Sequence, residues 1–288
     1  MIHPRFRFSF LAGLGLAALA ALPLRAQTPL FAEDFESGAL DPAVWETRAS
    51  PGVEVTVQQG LAAHGKSALQ IHYPKGKGRS YAFIVATHVP ADLRTHCFGR
   101  AYVFIRGKMP AGHDVLLNAG TAGYPTSNFL ELGASGGKNV MMSYQQNGAD
   151  VPRGETIGRG TAYPVNRWFC LEWEFGDQPD HIAVWIDGQP AGDLSGFTFT
   201  PKAVTVIAAD GTSSVTATGR PPAAGAAAAG NASAPAPALA AAVPGTGLVN
   251  GFADFAFGFR AWGGGAKEDF DLFYDDLALG SQRLGPVQ

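Results

Sequence analysis

Charge and sulfur are scarce in this chain. Of 288 residues, 16% are charged, 2 are Cys and 4 are Met. With a net charge of −3 and no block of Lys or Arg forming a phosphate-binding stripe, nucleic acid is not an expected partner. There is no Gly-x-Ser-x-Gly elbow, no phosphate loop and no Cys/His cluster at metal-ligand spacing. Helical periodicity is missing beyond the first residues, and no later apolar run is long enough to cross a membrane. What the chain has instead is 37 Gly and 20 Pro, which suit short strands and turns. The length accommodates one large β domain with an ample core.

The first residues read as a targeting signal. Arg5 and Arg7 precede an apolar run from Phe8 to Leu24, and Leu24-Arg25-Ala26 offers a small residue for cleavage. Residues 1–26 are therefore expected to be a signal peptide, with the domain spanning 27–288. A membrane anchor is the alternative. The expected location is secreted, periplasmic or extracellular, with no membrane contact after cleavage.

Between Asn166 and Gly188, Phe169, Leu171, Trp173 and Phe175 alternate with Trp168, Cys170, Glu172 and Glu174. A period of two marks a half-buried strand. Turn chemistry follows over Gly176-Asp177-Gln178-Pro179-Asp180, then a second strand from His181 to Ile186. The other clear alternation is Phe98 to Arg106, with Ala101, Val103 and Ile105 on one side and Arg100, Tyr102, Phe104 and Arg106 on the other. Arginines interleaved with aromatics suit a sugar surface, since rings stack on pyranoses and guanidinium forks take carboxylates; an ordinary solvent face is the alternative. Export permits a Cys97–Cys170 disulfide, but Cys97 is in step with Ala101 and Cys170 with Glu172 on the other side. A bridge stays open if Cys97 precedes its strand; otherwise both are buried thiols.

Further strands are expected near 30–33, 53–57, 68–73, 81–89, 113–118, 129–133 and 140–144. Lys75 to Arg79 is a basic loop, and Asn147 to Pro164, which includes Asp150, reads as loop. From 205 to 247 the chain is Ala/Pro-rich with few large apolar side chains, and is expected to be a disordered insertion within one domain, because strand patterns resume at 252–262 and 269–279.

Four segments in this order carry a family resemblance: Glu33-Asp34-Phe35-Glu36-Ser37-Gly38, Trp168-Phe169-Cys170-Leu171-Glu172-Trp173, Ala183-Val184-Trp185-Ile186-Asp187-Gly188, and Tyr274 to Leu279 with Arg283-Leu284-Gly285. The chain resembles the secreted cellulose-induced proteins of fungi and bacteria. The resemblance implies an all-β, concanavalin-like jelly-roll sandwich of two antiparallel sheets, similar to glucuronan and alginate lyases. It also implies a structural Ca²⁺ held by Glu36, the turn from His64 to Ser67, and Asp276; chain-distant carboxylates and carbonyls suit calcium's six to eight oxygens.

A uronate lyase neutralises the substrate carboxylate, removes the C5 proton and protonates the leaving oxygen at C4. The resemblance assigns His113 as base or carboxylate-side partner, Tyr144 as base/acid and Arg100 as neutraliser. Tyr102, Phe104, Asp150, Glu131 and Glu172 are expected substrate contacts. Phe129 and Glu131 stand where the family has His and Arg, and an acid there repels an acidic sugar unless paired. Three functions stay open: a polysaccharide lyase acting by β-elimination, a non-catalytic carbohydrate-binding protein with Tyr102 and Phe104 as platforms, and a glycoside hydrolase. The last rests on Glu172 and Glu174, which alternation places on one strand face about 7 Å apart. The expected partner is a polysaccharide, bound by a monomer.

Overall fold

The computed structural model describes residues 28–86, 88–120, 129–145, 154–177, 180–195, 204–207, 213–216, 252–263 and 265–287. The segment expected to be a signal peptide, and Asp150, lie outside them. Among the described residues no helix is long and apolar enough to cross a membrane.

The strands are β1 (Phe31–Glu33), β2 (Trp45–Ala49), β3 (Glu54–Gln59), β4 (Ser67–Tyr73), β5 (Ser80–Ala86) and β6 (His96–Arg106). Next come β7 (His113–Gly120), β8 (Phe129–Ser135), β9 (Asn139–Gln145), β10 (Gly154–Ala162), β11 (Trp168–Asp177) and β12 (Asp180–Ile186). The remainder are β13 (Gln189–Ser195), β14 (Val204–Ile207), β15 (Ser213–Thr216), β16 (Asp254–Ala261) and β17 (Phe270–Gly280). The first sheet runs β13-β12-β11-β6-β17-β4-β3, with β1 also on β17. The second runs β10-β9-β8-β7-β16-β5-β2, and β14 pairs only with β15. All pairings are antiparallel. The expected jelly-roll sandwich is the observed fold.

The two sheets enclose one core. Odd-numbered residues of β6 and β11 (Ala101, Val103, Ile105; Phe169, Leu171, Trp173, Phe175) meet Leu130, Leu132, Phe255, Phe257 and Phe259 of the second sheet. Trp173 lies 5.9 Å from Phe257 and Tyr73 5.2 Å from Phe259, ring to ring. Burying a side chain of this size contributes about 1.5–3 kcal/mol. The Tyr274 hydroxyl crosses between the sheets, within 2.7 Å of the Leu116 carbonyl and 2.8 Å of the Gly258 carbonyl. Trp173 needs a bare neighbour: it pairs with Gly99 on β6, where a Cβ would sit 2.0 Å from the indole.

Two expectations are corrected or settled here. The loop expected from Asn147 to Pro164 contains β10, paired to β9 from Gly154↔Tyr144 onward. Its glycines obscured the strand pattern, and neighbouring backbone supplies the ladder. Cys97 and Cys170 are both free and buried. Cys97 belongs to the core and Cys170 to the opposite face of the same sheet, as alternation implied. Burial pushes both thiols up, Cys170 to about 12, so neither is a ready nucleophile.

Candidate functional site

The side chains expected to form one site lie on two opposite outer faces. With the odd residues of β6 turned into the core, Arg100, Tyr102 and Phe104 face outward from the first sheet, beside Glu172 on β11, which pairs with Arg100. On β8, Leu130, Leu132 and Ala134 join the core, so Glu131 faces outward from the second sheet. His113 lies on that side too: Val115, two residues on, belongs to an outer cluster with Phe83, Val85 and Ala256. The sandwich therefore separates Arg100 from His113. Tyr144 pairs through its backbone with Leu130 and Gly154, and its side chain lies outside the described residues.

The face of the first sheet is occupied by the segment after β17. Arg283 Nε and Nη2 donate to Glu172 at 3.1 and 2.8 Å, and the Gly285 N–H adds a third bond at 3.0 Å. Arg100 donates to the Gly285 carbonyl at 3.2 Å, and the Val287 N–H donates to the Tyr102 hydroxyl at 3.0 Å. Glu174 meets His96 at 2.8 Å and His181 at 3.5 Å. Each glutamate of the expected hydrolase pair is thus tied to its own partner, and Glu172 is fully buried. Nothing in this arrangement makes one an acid and the other a nucleophile. Phe104 sits instead in an aromatic group with Trp168 (5.6 Å) and Phe273 (5.9 Å), over which Arg106 stacks at 4.8 Å.

The calcium expectation meets the wrong kind of donor. Glu36 Oε1 accepts from the N–H groups of Lys66 and Ser67, both at 2.8 Å, and these hold its carboxyl below the usual range. Asp275 Oδ2 accepts from the N–H groups of Ala63 (2.7 Å) and His64 (3.1 Å). His64 Nδ1 contacts Asp276, whose positive φ of 47 marks a bulge in β17. The turn thus offers N–H groups where a calcium ion takes oxygens. Among the described residues no three His, Cys, Asp or Glu are grouped to hold a metal. Glu36 and Asp276 are thus held to the turn by contacts within the chain. A cavity of about 180 Å³ nearby, lined by Glu33, Asp34, Arg100 and Asp276 among others, has its acids facing a guanidinium.

The outer face of the second sheet has a different character. His113 Nε2 lies 3.6 Å from Glu131 Oε2, and Ser143 Oγ donates to that same oxygen at 3.0 Å. His113 pairs with Ser135 and Val115 with Gly133, so the imidazole reaches Glu131 across a position with no side chain. Asn118 pairs directly with Glu131. Both are buried, yet among the described residues Asn118 Nδ2 and Glu131 Oε1 have no hydrogen-bond partner. Native proteins rarely leave such groups unsatisfied, and water, an ion or a ligand can complete them. Asn118, Ser143, Arg260 and Trp262 were not expected here. The signal for the last two was present: Gly258, Arg260 and Trp262 alternate with Phe257, Phe259 and Ala261.

A family model described as polysaccharide lyase-like, Cip1-like core domain, matches residues 34–223. Among solved structures, the cellulose induced protein Cip1 is similar over 89% of this chain and 100% of its own, at 17% identity and a TM-score of 0.55. The endo-beta-1,4-glucuronan lyase from the fungus Trichoderma reesei is similar over 88% of this chain and 96% of its own, at 14% identity and a TM-score of 0.54. Likeness at these identities shows the fold. No curated protein matches the chain.

Proposed function

Because the chain belongs to the polysaccharide lyase-like family built on the Cip1-like core domain, we propose that it cleaves a uronic-acid polymer by β-elimination at the His113 face of the second sheet. The observation that carries this reading is the buried pair Asn118 and Glu131, each with a polar atom lacking a partner among the described residues, beside a partly exposed imidazole. Both are buried, so in this reading they act on a bound sugar through the partly exposed His113 rather than by direct contact.

In this reading His113 is the base. Glu131 faces its Nε2 and, held by Ser143, acts as a positioning residue. His113 takes the C5 proton, the C5–H electron pair becomes the C4=C5 bond, the C4–O4 bond breaks, and the leaving oxygen is protonated from water. No role is assigned to Tyr144. The test is to incubate the purified chain with glucuronan, alginate and related polymers and to follow the ultraviolet absorbance of the new double bond. Absorbance that stays flat on every polymer sinks the reading.

A second reading has its own observation. Phe104 and Trp168 are half-buried rings on the outer face of the first sheet, next to Arg106. Such a surface suits non-catalytic sugar binding. Retained binding in affinity electrophoresis, lost in W168A and unchanged in H113A, favours it.

A further inference from the structure

We infer that Arg260 is the carboxylate-binding residue of the His113 face, reading the acid groups of a polyanionic sugar chain. The substrate class rests on the lyase reading; the residue that recognises it is new. Arg260 lies on β16 and pairs with Val115, two residues from His113, and with Tyr81 on its other side. Phe257, Phe259 and Ala261 turn into the core, so Arg260 faces outward with the His113 group. Its guanidinium carbon lies 3.7 Å from the centre of the Trp262 ring and 6.0 Å from that of Tyr81. Trp262 is joined to His113: its backbone N–H donates to the His113 carbonyl at 3.0 Å, and the two rings are 6.4 Å apart.

The indole face holds the Arg260 guanidinium in place, and a planar guanidinium grips a carboxylate with two parallel bonds, which an ammonium does not reproduce. A second cation follows in line. Arg79, exposed in the basic loop from Lys75 to Arg79, donates from Nε to the Trp262 carbonyl at 2.9 Å. Arg79 precedes β5, on the other side of β16 from β7 and His113, so Trp262 carries one arginine over its ring and a second at its carbonyl, positive charge that offsets Glu131 for a chain of acidic sugars. In the elimination, the electron pair released at C5 spreads into the carboxylate gripped by Arg260 before C4–O4 breaks, so the same contact that selects the substrate stabilises the charge that develops.

The experiment uses the full chain in an H113A background, so that no bond is cleaved, and measures calorimetric binding of short polyuronate oligomers. The same oligomers with carboxylates reduced to alcohols are the control. Adding Arg260→Met is expected to weaken polyuronate binding about tenfold to a hundredfold, while binding of the reduced oligomer is unchanged. Arg260→Lys is expected to recover only part of the loss. Unchanged polyuronate binding in Arg260→Met, or equal losses on both oligomers, overturns the inference. A wild-type chain that produces no double bond and an H113A chain that binds neither oligomer remove the lyase reading, and this inference with it. Should Arg260→Met fail to fold, Arg260→Lys carries the same comparison: equal affinity to the parent overturns the inference.

Discussion

Arg283 grips Glu172 with two parallel bonds, joining the segment after β17 to the centre of β11. The carboxylate is buried and the guanidinium is 38% exposed on its side chain, stacked 4.4 Å from the Trp185 ring. Removing one partner leaves the other charge uncompensated. R283M is expected to lower stability by about 3 kcal/mol, the low end for a buried pair because the arginine keeps some solvent. Urea unfolding monitored by tryptophan fluorescence checks it. Polymer cleavage by folded R283M should match wild type, since Glu172 lies on the face away from His113.

Asp114 makes a pH prediction. It points into the core from β7, fully buried, with neither carboxylate oxygen partnered among the described residues. The nearby Tyr73 hydroxyl is bonded to Ser80. Burial raises the Asp114 carboxyl from 3.8 to about 8. Between those values the folded chain holds a proton that the unfolded chain has released, so stability falls as pH rises through this window and levels off above it. D114N is expected to flatten that slope and to be the more stable chain at pH above about 8. Unfolding curves across the window, wild type against D114N, decide it.

The turn from Ala63 to Ser67 predicts indifference to chelation. Its N–H groups already satisfy Glu36 and Asp275, so the melting temperature should be the same with calcium, with chelator and with neither. Gly65 should matter more than any ion. Its φ is +65, and a Cβ there would lie 2.5 Å from Glu36 Oε1. G65A is expected to cost at least about 2 kcal/mol, from the strained backbone and the displaced carboxylate together. A melt that rises with added calcium would count against this account.

At the proposed catalytic face, H113A should lose about 10²- to 10⁴-fold in turnover with little change in stability. E131Q should lose less, and in kcat rather than in KM, because the amide holds the imidazole less firmly than the carboxylate does. An E131Q chain with the wild-type kcat would leave Glu131 a purely structural residue.

Much of the scaffold was legible from alternation. The core and outer sides of β6 and β11, and the β11–β12 hairpin, followed from a period of two, because each strand buries one face against a hydrophobic core. Alternation fixes sides within a strand but is silent on which sheet the strand joins. Arg100 and His113, which the family resemblance assigns to one cleft, therefore carry no local sign that the whole sandwich lies between them. Arg283 was hidden for a related reason: its partner Glu172 is 111 residues away, and no local pattern reports so distant a contact. Arg260 and Trp262 were visible as an outward series, but their value depends on β16 pairing with β7, which only the tertiary register supplies.

The sheet order carries a consequence for how the molecule comes into being. β16 sits between β7 and β5, and β17 between β6 and β4. Strands made early in synthesis therefore wait, on both layers, for neighbours that emerge late. Until then β5, β7, β4 and β6 present open edges and the aromatic core has no lid. Assembly is governed by contacts of long sequence separation and is expected to be slow, and a ribosome stalled before β16 leaves four part-sheets, two in each layer, prone to pairing with other chains. The residues proposed to recognise substrate, Arg260 and Trp262, arrive with the strand that closes the second sheet, so recognition and completion of the fold coincide.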